Sequence, residues 1–240
     1  MLKCIIIPAY NEFENINLIL KEIYQNNFED IRVVIVDDSK ENFEKKIRFE
    51  KHRFVYLHRG KKLGRGSAVL FGIKYMLTLH NDIDFFVEMD SDMSHNPNEL
   101  VRNISYFKDN DLDLLIASRY KKDSKIINWP IKRKVLSFFS NKLTKYTLEI
   151  PITDYTNGYR IYSFNAAKFI VKNCGKIGDG YIVLSEILVQ LYYNNFKVDE
   201  IDTIFVNRVR GTSNATFSEI LSSLFGLYKI WGEKKKITKY

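Results

Sequence analysis

Long apolar runs alternate with amphipathic segments along the first half of this chain. KCIII at 3–7 and IRVVIV at 31–36 are continuously apolar, which suits strands covered on both faces rather than one. RFVYLHR at 53–59, DFFVEMD at 84–90 and DLLIAS at 113–118 read as further strands. Between them, residues 14–27 place Ile16, Ile19, Leu20 and Ile23 at helical spacing, and residues 65–79 do the same with Val69, Ile73, Met76 and Leu77. Asn96-Pro97-Asn98-Glu99 is a helix start, with Asn as cap, Pro at the first position and Glu at the third. Strand–helix alternation of this kind predicts an α/β fold with a mostly parallel sheet and helices on both faces. In such sheets ligands bind beyond the carboxyl ends of the strands. Asn11 and Glu12, Asp37 and Asp38, Asp90 and Asp92, and Arg119 all fall at those ends, which points to one shared site.

Past residue 120 the pattern loosens. Residues 131–148 read as a helix rich in Lys, Arg and Phe, 158–163 as a strand, 181–193 as a helix and 197–209 as a late strand. Residues 216–232 form a strongly apolar helix followed by the basic tail KKKITKY.

Size and composition narrow the class. At 240 residues and 45% apolar content the chain supports one large α/β domain. Cys4 and Cys174 are far apart and belong to no CxxC or Cys/His cluster, so both are expected as reduced, buried thiols. The opening MLKCIIIPAYNE has too short an apolar run for a secretory leader, and no run of about 18 apolar residues predicts a membrane-spanning helix. The formal charge of +8 implies an anionic partner: nucleic acid, anionic membrane and phosphorylated substrates all qualify. The basic residues are dispersed and no nucleic-acid motif accompanies them, so nucleic acid is not the expected partner. His52, His58, His80 and His95 form no triad, and His95 is read as structural.

Three constellations carry candidate chemistry. Asp90-Ser91-Asp92 leaves an apolar strand, and two carboxylates at that spacing can reach one hard cation such as Mg²⁺ or Mn²⁺, which takes oxygen ligands and bridges to phosphates. The bland alternative is a solvated acidic turn. PAYNE, Pro8 to Glu12, can hold a base and ribose through backbone groups, Tyr10 and Glu12, or be an ordinary turn. Arg119, Arg133, Arg208 and Arg210 suit bidentate phosphate recognition, against the alternative of plain surface charge.

Together IIIPAYNEFENI, VVIVDDS, FVEMDSDMSHNPNEL, ASRY, DYTNGYRIY and the GY…E segment at 180–186 occur in an order that resembles the polyprenol- (dolichol-) phosphate mannosyltransferases of glycosyltransferase family 2. The likeness runs from about residue 3 to residue 214. EMDSDMSHNP and DYTNGYR are specific to that branch, whereas PAYNE and VDD are common across family 2. The resemblance implies a GT-A-type fold, with residues 1–214 as catalytic domain and 215–240 as an appended amphipathic helix and tail. It implies that Pro8, Tyr10, Glu12 and Asp37, with Asp90, bind the nucleotide sugar, and that Asp90, Asp92 and Ser94 hold Mg²⁺ or Mn²⁺. Arg119, Arg133, Ser137 and Arg208 are the implied acceptor-phosphate residues, with Asp92, Arg119 and Arg133 central to catalysis. The chain departs from the family pattern after VDDS, at Leu184 where glutamine is usual, and at GTSN, where Asn214 replaces a lysine.

The implied reaction is inverting transfer of mannose from GDP-mannose to a polyprenyl phosphate. The alternatives are UDP-glucose or a UDP-N-acetylhexosamine as donor, and an inactive partner subunit. A lipid monophosphate is already anionic near neutral pH, so no general base is expected. The chain resembles relatives consisting of the catalytic domain alone, which suggests a cytoplasmic protein held peripherally on a membrane, with or without an anchoring subunit. Ile220, Leu221, Leu224, Phe225, Leu227, Tyr228 and Trp231, with Lys234, Lys235, Lys236 and Lys239, suit either packing on the domain or an interfacial helix.

Overall fold

A computed structural model describes residues 1–26, 30–207 and 217–237, with side-chain detail in the last segment from 225 onward. The first half alternates as its pattern predicts: β1 (Leu2–Ala9), α1 (Phe13–Gln25), β2 (Ile31–Asp37), β3 (Phe54–His58), α2 (Arg65–Leu79), β4 (Ile83–Glu88), α3 (Leu100–Asp109) and β5 (Leu114–Ser118). Then come β6 (Lys125–Ile127), α4 (Ile131–Leu148), β7 (Arg160–Ser163), α5 (Phe164–Asn173), α6 (Ile182–Tyr193), β8 (Val198–Asp202), β9 (Ile204–Val206) and α7 (Phe217–Ile237). The seven-stranded sheet has the order β3-β2-β1-β4-β7-β5-β8, and β6 pairs with β9 in a small parallel ribbon. All neighbours in the large sheet are parallel except β7, which runs antiparallel between β4 and β5.

The continuous apolar runs have a direct cause. Along β1, Cys4 and Ile6 enter the core on one face while Ile5 and Ile7 enter the core on the other. Val69 and Ile73 of α2, Ile170 of α5 and Ile187 of α6 cover the first face. Ile16 and Ile23 of α1 and Leu100 and Ile104 of α3 cover the second. Each such fully buried aliphatic side chain contributes about 1.5–3 kcal/mol of transfer free energy.

The late region departs from the pattern. The strand expected at 197–209 is interrupted at Thr203, whose hydroxyl donates to Glu99 (2.5 Å) while the next backbone N–H, of Ile204, donates to the same carboxylate (2.9 Å). Residues 164–173, not marked out by the apolar pattern, form α5, capped by the Ser163 hydroxyl accepting from the Ala166 N–H. The apolar C-terminal helix packs on the domain. Leu227 and Ile230 join the first core, and a Cβ on Gly226 would lie 2.6 Å from Ile182 Cγ1, so α7 crosses α6 closely. Lys234 pairs with Glu149 at 2.6 Å and ties α7 to the end of α4. No helix among the described residues is long and apolar enough to cross a membrane.

Candidate active site

The carboxyl ends of β1, β2, β4 and β5 bring most of the expected residues to one edge of the sheet. After β1 the chain turns through Asn11 in the left-handed region (φ 58°), with its N–H donating to the Ser39 hydroxyl at 2.7 Å. Pro8 is buried in β1, opposite Val36. Tyr10 is exposed, with the Lys62 ammonium 5.2 Å from its ring. Glu12 accepts from Asn15 at 2.5 Å. The two aspartates ending β2 divide the work. Asp37 is fully buried and accepts from the Ser39 N–H, the Ser39 hydroxyl and the Tyr56 hydroxyl. Asp38 takes a bidentate pair from Arg59 (2.5 and 2.8 Å) and accepts from the N–H groups of Leu63 and Gly64 (2.7 and 3.1 Å). That second set fixes the turn entering α2. Gly64 has φ 96° there, and a Cβ on it would meet the Asp179 carbonyl oxygen at 2.5 Å.

β4 ends at Glu88, so Asp90 and Asp92 lie in the loop beyond it. Met93 takes φ 63°, and the Ser94 N–H turns back to donate to Asp92 Oδ1 at 3.1 Å. Ser94 is 2% exposed, and its hydroxyl oxygen has no hydrogen-bond partner among the described residues. His95 is buried and fully used. The Asp90 N–H donates to Nδ1 (2.9 Å), so Nε2 carries the proton and donates to Asn157 Oδ1 (3.0 Å). Its ring also stacks on Tyr159 at 5.1 Å. A structural role for His95 is what this geometry gives.

Arg65, at the start of α2, reaches into the same loop. It pairs with buried Glu88 and donates from Nε to Asp90 Oδ1 at 2.7 Å. Burial opposes its charge, but the Asp90 and Glu88 carboxylates outweigh burial and raise its pKa. Nothing in the local pattern around Arg65 marks it, since its partners lie 23 and 25 residues further on.

Across the site, Arg119 follows β5 and is clamped by Asp154. Arg119 Nε donates to Oδ2 and Nη2 to Oδ1, both at 2.7 Å, and the Arg119 N–H donates to Oδ2 at 3.0 Å. Burial works against both charges, yet the pair wins: Arg119 is raised and Asp154 is held below the usual carboxylate range. The Trp129 ring lies 4.1 Å from the Arg133 guanidinium and 5.4 Å from that of Arg119. Arg133 and Ser137 sit one turn apart on the inner side of α4. Arg133 Nη1 donates to Asn207 (3.3 Å), and the Tyr120 hydroxyl donates to Ser137 Oγ (2.6 Å). Arg208 and Arg210 lie outside the described residues.

Residues 4–170 match Glycosyl transferase family 2. The chain belongs to this family. It is therefore a glycosyltransferase. It is 31% identical over 240 residues to the polyprenol monophosphomannose synthase of Mycolicibacterium smegmatis, covering 98% of this chain and 88% of that protein. It is 32% identical over 246 residues to the dolichol-phosphate mannosyltransferase of Pyrococcus furiosus, covering 98% of this chain and 66% of that protein. Among solved structures it resembles glucosyl-3-phosphoglycerate synthase from Mycobacterium tuberculosis, crystallised with Mn²⁺, UDP-glucose and phosphoglyceric acid. That match has TM-score 0.66 and 15% identity over 96% of this chain and 80% of that one. The family 2 fold is thus the GT-A type, as the resemblance implies.

Within this glycosyltransferase the expected residues fall into two groups on the same edge. One holds Pro8, Tyr10, Glu12, Asp37, Asp90, Asp92 and Ser94; the other holds Arg119, Arg133 and Ser137. Asp154, Arg65 and Trp129 complete these groups without having been singled out beforehand. No cluster of three or more His, Cys, Asp or Glu side chains that could hold a metal occurs among the described residues. The acidic loop carries two carboxylates, Asp90 and Asp92, and the Ser94 hydroxyl.

Proposed function

We propose that this glycosyltransferase moves mannose from GDP-mannose to the phosphate of a polyprenyl (dolichyl) phosphate, with inversion at the anomeric carbon. The two-sidedness of α4 carries the reading. Its inner side holds Arg133, Ser137, Asn141 and Leu148 against the domain. Its outer side exposes Ile131, Val135, Phe138, Phe139, Leu143 and Tyr146, with Phe139 61% and Ile131 79% accessible. At 100° per residue these six fall on one broad face, with Lys132 and Lys142 among them. An anion site at the foot of an exposed apolar, basic face suits a phosphate carried on a lipid chain. In α7, by contrast, Leu227 and Ile230 are buried. The membrane-facing helix is therefore α4, supplemented by Phe225 and Tyr228 of α7, and the protein works peripherally from the cytoplasmic face. Names of two relatives support the acceptor class, one a polyprenol monophosphomannose synthase and the other a dolichol-phosphate mannosyltransferase.

In this mechanism Pro8, Tyr10, Glu12 and Asp37 line the nucleotide pocket. Asp90, Asp92 and Ser94 fit a hard divalent cation, Mg²⁺ or Mn²⁺. Their donors are all oxygens, and the buried Ser94 hydroxyl oxygen lacks a hydrogen-bond partner among the described residues. Bound there, the cation would neutralise charge on the diphosphate leaving group. Arg65 keeps Asp90 in place and compensates Glu88. Arg119, Arg133 and Ser137, with Arg208 from its sequence position, hold the acceptor phosphate so that its oxygen faces the anomeric carbon. That phosphate is its own anionic nucleophile, so positioning and charge compensation replace a general base.

The test mixes purified protein with polyprenyl phosphate, Mn²⁺ or Mg²⁺ and labelled GDP- and UDP-sugars, and follows label into the lipid phase. Metal-dependent transfer from GDP-mannose, lost in Asp92→Ala, is the expected result. Transfer from a UDP-sugar alone would replace the donor. No transfer and no nucleotide-sugar binding by folded protein would leave the inactive-subunit alternative.

A further inference from the structure

The Trp129 indole N–H is buried, with the residue 7% exposed, and has no hydrogen-bond partner among the described residues. Buried indoles normally find an acceptor, because a desolvated N–H left unpaired is costly. What the indole meets instead is two cations and a hydrocarbon edge. Arg133 lies 4.1 Å and Arg119 5.4 Å from the ring, and Phe205 packs edge-on at 5.3 Å and 74°. The indole nitrogen is a donor only, and so is guanidinium. A group completing this cluster must accept the indole hydrogen bond, and the Arg133 guanidinium over the ring favours one that is negatively charged. That excludes a cation, and it disfavours a neutral hydroxyl beside two guanidinium groups.

Arg119 is already set for such a group. Asp154 and Thr156 occupy its Nε and Nη2, which fixes the guanidinium plane and leaves Nη1 without a partner among the described residues. Trp129, Arg133 and Ser137 follow one another at intervals of four residues, with Trp129 directly before Pro130, the cap of α4. Arg133 and Ser137 lie one turn apart on the inner side of that helix, and the Trp129 ring packs against the Arg133 guanidinium from just before it.

We propose that Trp129 Nε1–H donates to an oxygen of the acceptor phosphate monoester, making Trp129 a phosphate-binding residue as well as the platform under Arg133. This rests on the acceptor reading above. The indole adds a donor that stays put at every pH and cannot pair with the donor diphosphate's metal.

The test uses the full chain and farnesyl phosphate as probe, with farnesol as the uncharged control. The chain has two tryptophans, Trp129 and Trp231, so ¹⁵N-indole labelling gives two N–H signals, assigned through Trp129→Phe. Saturating farnesyl phosphate is expected to move the Trp129 signal downfield and slow its exchange with solvent; farnesol leaves it in place. Trp129→Phe keeps a ring beneath Arg133 and is expected to raise KM for the prenyl phosphate about tenfold to a hundredfold, the size of one hydrogen bond to a charged group. Its KM for the sugar nucleotide and its kcat should change by less than about threefold. Calorimetric binding of farnesyl phosphate with the Trp129 signal unmoved and affinity unchanged in Trp129→Phe would overturn the proposal. A fall in kcat and thermal stability without the acceptor-specific KM change would also overturn it, as a structural role. Absence of farnesyl phosphate binding to the unmodified protein would overturn the acceptor reading itself, and this proposal with it.

Discussion

Asp154→Asn isolates the clamp that holds Arg119. The substitution keeps the shape of a fully buried side chain and removes its charge. Oδ2 accepts from the Arg119 N–H and Nε, while Oδ1 accepts from Arg119 Nη2 and the N–H groups of Thr156 and Asn157. An asparagine can turn its oxygen to one set only. Its NH₂ then confronts at least two donors from the other, and Arg119 stays buried with no counter-charge. Breaking a buried pair from one side costs about 3–5 kcal/mol, a large part of the roughly 5–15 kcal/mol that holds a domain. For a chain of this size that lowers Tm by about 6–20 °C. Urea melts should give the loss directly. Arg119→Met should cost a comparable amount, and the double variant less than the sum, because neither charge is then orphaned.

The same pair fixes a pH dependence. The folded pKa of Asp154 is depressed below its unfolded value of about 3.9, so the stability it adds is present above that value and is lost as pH falls through the folded pKa. The gap between the unmodified protein and Asp154→Asn should therefore be full at pH 7 and shrink below about pH 4. A gap under about 1 kcal/mol at pH 7, or one that stays constant down to pH 3, would refute this account of the clamp.

Other consequences follow from single contacts. A Cβ on Gly158 would sit 1.8 Å from Arg65 Nη2, so Gly158→Ala should push the guanidinium off Glu88 and Asp90, cost about 1–3 kcal/mol in a urea melt and raise the Mn²⁺ concentration needed for half-maximal transfer. Phe138→Glu with Phe139→Glu should cut cosedimentation with anionic liposomes at least about tenfold while sparing transfer to a short, water-soluble prenyl phosphate. Unchanged cosedimentation would remove α4 as the membrane face. Burial pushes the Cys4 thiol up to about 12 and the Cys174 thiol higher still, so neither should react with a thiol reagent at pH 8 in the native protein, and both should in guanidinium.

Much of the fold was legible because local period encodes it. Apolar runs on β1 and β2 demanded cover on both faces, and the limits of α4 fell where its pattern put them. The acidic loop was legible for the same reason: Asp90 and Asp92 are neighbours in sequence, and strand ends in such sheets face the ligand. What the pattern could not carry is pairing at a distance. That β7 inserts antiparallel between β4 and β5 depends on the whole sheet. So do the contacts of Arg65 with Glu88 and of Arg119 with Asp154, 23 and 35 residues apart. Amphipathicity likewise says that a helix has an apolar side without saying what covers it. The sequence of 131–148 and that of 216–232 both present one. Only tertiary packing decided that α7 spends Leu227 and Ile230 on the core beside α6, while α4 turns Arg133, Ser137 and Asn141 inward and leaves its phenylalanines to the outside.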